Sequence, residues 1–192
     1  MIHQQNMSVF KRNFKTINNQ IISKPIIGFI SGNEKLIDIV VGKMEKKFGK
    51  TDCSTGFMPF LYTDYYKEEF GDDLKKKIFS FEKLITLENS HKIKHFTCSI
   101  EKKYSDHGKR TINIDPGYIN YAKLVLFTTK DYNHRIYLGQ GIFAEVTLNY
   151  SNKKKTFLPN DWTYPDYRTD EYISFFNKAR RIFAEQIANR NQ

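Results

Sequence analysis

Arg110 to Tyr150 reads RTINIDPGYINYAKLVLFTTKDYNHRIYLGQGIFAEVTLNY. Its short apolar runs, alternating with polar residues and broken by Gly, Pro, Asn and Asp, are the pattern of neighbouring β-strands joined by tight turns. Gly139-Gln140-Gly141 predicts a hairpin between residues 134–138 and 142–150, because Gly supplies the positive φ that such loops need. A three-residue loop centred on Gln140 sets Arg135 opposite Glu145, Tyr137 opposite Phe143, and Ile136 facing Ala144. One face of that hairpin is then apolar, and the other carries Arg135, Tyr137, Glu145 and Thr147.

Just upstream, Asp115-Pro116-Gly117-Tyr118 has the chemistry of a type II turn, with Pro fixing one φ and Gly taking the positive one. That turn would separate a strand over residues 111–115 from another over 122–130. Further toward the N-terminus, PIIGFIS (residues 25–31) reads as a buried strand. Leu36, Ile37, Val40, Val41, Met44 and Phe48 then recur at helical spacing, with Ser31 or Asn33 to cap the start and Gly49 to end it. Residues 51–61 suit an edge strand broken by Gly56 and Pro59. KKKIFSFEKLI (residues 75–85) alternates as a strand, and a second helix carries Ile93, Phe96, Ile100 and Tyr104 on one face.

The resulting order is β-α-β-β-α-β, that of the split βαβ unit. The fold expected is α/β, of the α+β kind: a two-layer mixed sheet with a ferredoxin-like βαββαβ opening and an antiparallel C-terminal extension. A Pro-bounded aromatic loop, Leu158 to Arg168, holds the single Trp162. A last helix then starts near Thr169 and buries Tyr172, Phe176, Ala179, Phe183 and Ile187.

With 192 residues, the chain has the length for one domain with a substantial core. Residues 1–24, polar and amide-rich, are expected to be a flexible extension, and residues 25–189 the single domain. A net charge of +10 suits a phosphate-bearing partner, an anionic small molecule, a nucleotide or RNA, although Lys-rich surfaces also occur without one. Cys53 and Cys98 are too isolated for a disulfide framework or a metal site. No run approaches the roughly 20 apolar residues of a membrane span. Together these give a cytoplasmic protein, with no membrane partner, no metal and no named cofactor.

Several motifs tempt and carry little. SGNE, at the first strand-to-helix turn, lacks the glycine count and the Lys-Ser/Thr ending of a phosphate loop. His95-Phe96-Thr97 has the form of a phosphoesterase histidine motif, but falls in a helix and has no second copy. His134 has no Cys or second His near it.

FISGN, TDYY, FSFEKLI, NIDPGY, AKLVLFTTKDYNHRIYLGQGIFAEVTL and WTYPDYRTDEYISFFNKAR resemble the domain-of-unknown-function family 4416, small bacterial proteins. The resemblance runs over roughly residues 25–185 and implies no particular reaction. Some similar sequences carry a GTP-binding label. TTKD at residues 128–131 is superficially similar to the guanine-binding Asn/Thr-Lys-x-Asp pattern, without a phosphate loop to accompany it.

The functional expectation is a protein that binds or acts on a small phosphorylated or nucleotide ligand at the polar face of the C-terminal strands. Asp115, His134 and Glu145 are the candidate proton-handling groups. Tyr65, Lys123, Lys130, Arg135, Tyr137, Trp162 and Arg168 are the candidate ligand contacts. The alternative is an RNA-binding or protein-interaction module that uses the same basic and aromatic face.

Overall fold

The computed structural model describes residues 16–17, 20–61 and 73–190. In chain order the elements are β1 (Thr16–Ile17), β2 (Gln20–Ser31), α1 (Glu34–Phe48), β3 (Thr51–Ser54), β4 (Met58–Pro59), β5 (Lys75–Phe81), β6 (Ile85–Thr86) and α2 (His91–Lys103). Then follow β7 (Asn113–Ile119), β8 (Lys123–Thr128), β9 (Arg135–Gly139), β10 (Ile142–Ser151), β11 (Thr156–Pro159), a 3₁₀ turn (Pro165–Arg168) and α3 (Asp170–Asn189). The sheet runs β11-β10-β8-β7-β2-β5-β3, with β1 and β6 attached to β2, β4 to β5 and β9 to β10. Within β7-β2-β5-β3, α1 connects two strands that have β5 between them. This is the split arrangement that the element order predicts.

The α+β class holds, with two differences. Every strand pair among the described residues is antiparallel, so the sheet they form is not mixed. The layering is also not a plain two. Ile37, Val40, Met44 and Ile100 of α1 and α2 pack on Phe29, Phe81 and Phe127, whereas Tyr172, Phe176 and Ala179 of α3 pack on Ile26, Ile78 and Leu148. Neighbouring residues of a strand point to opposite faces. Both faces of the central strands are apolar, so each needs a helix cover.

Asn33 caps α1 by accepting the Leu36 N–H at 3.1 Å, while Ser31 Oγ accepts the Asn33 N–H. The SGNE turn is therefore a capped helix start. The expected boundary at residue 24 falls too late, because β2 begins at Gln20 and Ile22, Ser23 and Lys24 are buried. Lys24 is tied to Asp52, to the Phe81 carbonyl and to Gln186. Residues 1–15, and residues 62–72 with Asp64 and Tyr65 among them, lie outside the described residues.

The main correction concerns Asp115-Pro116-Gly117-Tyr118, which is no turn. It lies inside β7, where Asp115 pairs with Gly28, Pro116 with Ile27 and Gly117 with Ile26. β8 meets β7 only over Gly117–Leu126, Tyr118–Val125 and Ile119–Leu124. Gly117 is required by close approach, since a Cβ there would lie 2.1 Å from the Val125 carbonyl oxygen.

Pro116 explains why the pairing stops. The main-chain N–H and C=O of Ile114 turn away from β2, toward α2 side chains. By alternation, the Pro116 nitrogen faces the same way, toward β8. It carries no hydrogen, so the ladder bond due to the Phe127 carbonyl is missing and the two strands separate beyond that point.

Candidate functional site

The separation of β7 from β8 leaves a cleft of about 300 Å³ that reaches side chains from both faces of the sheet. On the α2 side the exposed main chain of β7 is covered by two buried charges. Glu101 Oε1 accepts the Ile114 N–H at 2.6 Å, and Lys94 Nζ donates to the Ile114 carbonyl at 2.7 Å. They occupy the place a neighbouring strand would fill. Lys94 Nζ also lies 3.9 Å from Glu101 Oε1 and 3.9 Å from Asp115 Oδ1. Arg110 donates to Asn113 Oδ1, and Asn113 Nδ2 to Asp115 Oδ2, which orients the Asp115 carboxylate. Burial raises the Glu101 carboxyl pKa, against the pull of Lys94 and of the Ile114 N–H.

On the α3 side Lys76 pairs with Asp166 at 2.5 Å, both buried, and its ammonium sits 4.1 Å from the Tyr167 ring centroid. Burial, followed by the charges of Asp115 and Asp166, pushes the Tyr167 hydroxyl pKa well up. The third wall is the end of β8 and its continuation, Thr128, Thr129 and Lys130, with Tyr132, Arg135 and Glu145 beside it. Buried Glu145 receives His134 Nε2 at 3.0 Å and Arg135 Nε at 2.9 Å on the same oxygen. The predicted hairpin register is observed, Arg135 opposite Glu145, Ile136 opposite Ala144 and Tyr137 opposite Phe143.

Asp115, Lys130, Arg135 and Glu145 are thus brought together on one cleft. His134 lies behind its rim, bound to Glu145 and stacked between Tyr132 and Trp162 at centroid distances of 6.0 and 5.4 Å. The Trp162 indole donates to the Val146 carbonyl. Three candidates stand elsewhere. Lys123 starts β8 at its far end, opposite Asn149, where β7 and β8 are still paired. Tyr137 is exposed at the hairpin tip, its hydroxyl accepting the Gly141 N–H. Arg168 ties its own loop together through the carbonyls of Asn160, Asp161 and Thr163. Tyr65 lies outside the described residues.

Sequence reasoning missed Lys76, Lys94, Glu101 and Arg110. Two of the signals were present. Lys94 and Glu101 are seven apart, so opposite charges share one face of α2. Lys76 alternates onto the same side of β5 as Ile78 and Ser80. Among the described residues, no group of three His, Cys, Asp or Glu is arranged to hold a metal ion, and no helix is long and apolar enough to cross a membrane.

The fold and the cleft define an α+β domain whose antiparallel sheet is opened between two strands and lined there with buried charges of both signs. Within that class the chain belongs to the family described as Domain of unknown function (DUF4416), whose model matches residues 22–183. Searches among curated proteins and among solved structures found no match.

Proposed function

We propose that the protein binds a small phosphorylated ligand, nucleotides included, in the cleft between β7 and β8. The observation that carries this reading is the state of Lys94. Its ammonium is buried on the cleft wall and makes one hydrogen bond, to the Ile114 carbonyl, while its two carboxylate neighbours stand at 3.9 Å, within ion-pair range but beyond hydrogen-bonding reach. An ammonium has three donors, so two remain for an anion. Lys130, Arg110 and Arg135 lie on the same cleft, and the net charge of +10 favours the approach of polyanions. In this reading Asp115, partly open to the cleft and 3.9 Å from Lys94, is the proton acceptor, and Glu145 holds Arg135 and His134 in place. The lone thiols Cys53 and Cys98 fit the cytoplasm as the working compartment.

A thermal-shift titration of the full chain with inorganic phosphate and sugar phosphates tests it, because a ligand specific for the folded state raises the melting temperature with concentration. The expected result is a rise that Lys94→Met or Lys130→Ala reduces. No rise with any phosphate compound overturns the reading. The alternative, an RNA-binding surface, is favoured by one observation, the exposed Trp162 and Tyr132 stacked through His134. Salt-dependent retention of single-stranded RNA on a filter, lost in Trp162→Ala, would support it.

A further inference from the structure

We infer that the ligand of this cleft is a single nucleoside phosphate, whose base lies against the tyrosines at the mouth while its phosphate faces Lys94 inside; this rests on the phosphate reading above and sharpens it. Tyr132 and Tyr164 both border the cleft and are 53% and 50% exposed. Large aromatic rings left half open to water beside a cavity are suited to covering a planar group.

The Tyr132 ring is also held in place. It runs within 9° of parallel to His134, which in turn lies within 14° of Trp162, and the Arg135 guanidinium sits 4.5 Å from the Tyr132 centroid. Glu145 fixes His134 and Arg135 together. A wall ordered in advance loses little side-chain freedom when a ligand docks.

The rest of the cleft divides in the way such a ligand does. Ile30, Phe60 and Phe127 give an apolar part, and the Lys94 and Arg110 side gives a charged part. The Phe127 carbonyl is the acceptor that Pro116, lacking an N–H, cannot serve. By the same alternation that turns the Lys123 carbonyl to Asn120, it faces β7 and the gap, where the amino group of a base can donate to it. A volume of about 300 Å³ is at the lower end for ligand sites, which limits the occupant to one nucleoside unit.

Calorimetric titration of the full chain with adenosine 5′-monophosphate, ribose 5-phosphate and inorganic phosphate decides the matter. The nucleotide is expected to bind about tenfold or more tightly than ribose 5-phosphate, the usual contribution of one base stacked on an aromatic ring. Tyr164→Ala should lose that margin and Tyr164→Phe should keep it, with Tyr132→Ala as the second test of the mouth. If the nucleotide and ribose 5-phosphate bind equally, the base contributes nothing and the inference is overturned, while the phosphate reading stands. If none of the three binds, the phosphate reading falls and this inference falls with it. The comparison of ligands uses the native chain, so it holds even where a variant fails to fold.

Discussion

Glu101 accepts the main-chain N–H of Ile114 at 2.6 Å, a bond that an adjacent strand supplies elsewhere in the sheet. A helix side chain therefore satisfies the opened strand, and burial raises its carboxyl pKa above the ordinary value of 4.5. With the folded value above the unfolded one, the native state holds its proton longer. Stability from this group is complete below the ordinary carboxyl range and is lost as pH rises through the folded value. Glu101→Gln keeps an acceptor for Ile114 and should remove that decline, flattening the urea midpoint above pH 4.5 relative to the native chain. An unchanged slope would assign the decline to another group. Glu101→Ala, which leaves the Ile114 N–H without its partner, should cost roughly 1–3 kcal/mol.

Gly117→Ala is expected to be among the most damaging single changes in the sheet. The added methyl would sit 2.1 Å from the Val125 carbonyl oxygen and 3.0 Å from Leu126 Cα, both main-chain atoms. Moving two paired strands apart costs on the order of 3 kcal/mol or more. A midpoint within error of the native chain would contradict the register of β7 on β8.

Pro116→Ala has the opposite character, since it restores an N–H facing the Phe127 carbonyl. Pairing should extend past Gly117 and narrow the cleft, with a stability change within about 1 kcal/mol. A slowly exchanging amide at position 116, together with weaker binding of phosphate ligands, is the expected pair of results. A freely exchanging amide there would show that something other than Pro116 holds the strands apart.

Arg135→Ala separates structure from binding. Glu145, buried, keeps His134 at 3.0 Å but loses the Arg135 guanidinium at 2.9 Å, so a destabilisation of roughly 1–3 kcal/mol is expected from the weakened partner set. A ligand-binding role predicts that affinity for phosphate compounds falls further than stability does. Equal losses would leave Arg135 with the structural part alone.

Lys24 tests the start of the domain. Burial lowers its ammonium pKa, only partly offset by Asp52. With the folded value depressed, its contribution is complete above the ordinary value of 10.5 and is lost as pH falls through the folded value. Relative to Lys24→Met, the native chain should gain stability as the solution is made more alkaline. Deleting the chain through residue 24 should lower the melting temperature sharply, because Ile22, Ser23 and Lys24 are buried in the central strand.

The sequence by itself determined those features whose causes are local. The caps and apolar spacing of α1, the alternation of β5, and the Gly-flanked hairpin with Arg135 opposite Glu145 each follow from residues close in the chain. Asp115-Pro116-Gly117 shows the limit of such reasoning. Pro followed by Gly serves a tight turn, and equally a strand that must stop pairing at one residue and admit a neighbour's backbone at the next. Only the presence of β2 on one side and β8 on the other decided between them. The cleft was hidden for the same reason. Asp115, Lys130, Arg135 and Glu145 lie in one stretch and could be gathered from the sequence. Lys94 and Glu101 take their role from the main chain of Ile114, at least thirteen residues away, and Lys76 takes its role from Asp166, ninety residues away. Partners that far apart are set by how the helices and strands pack, and the chain order alone does not specify them.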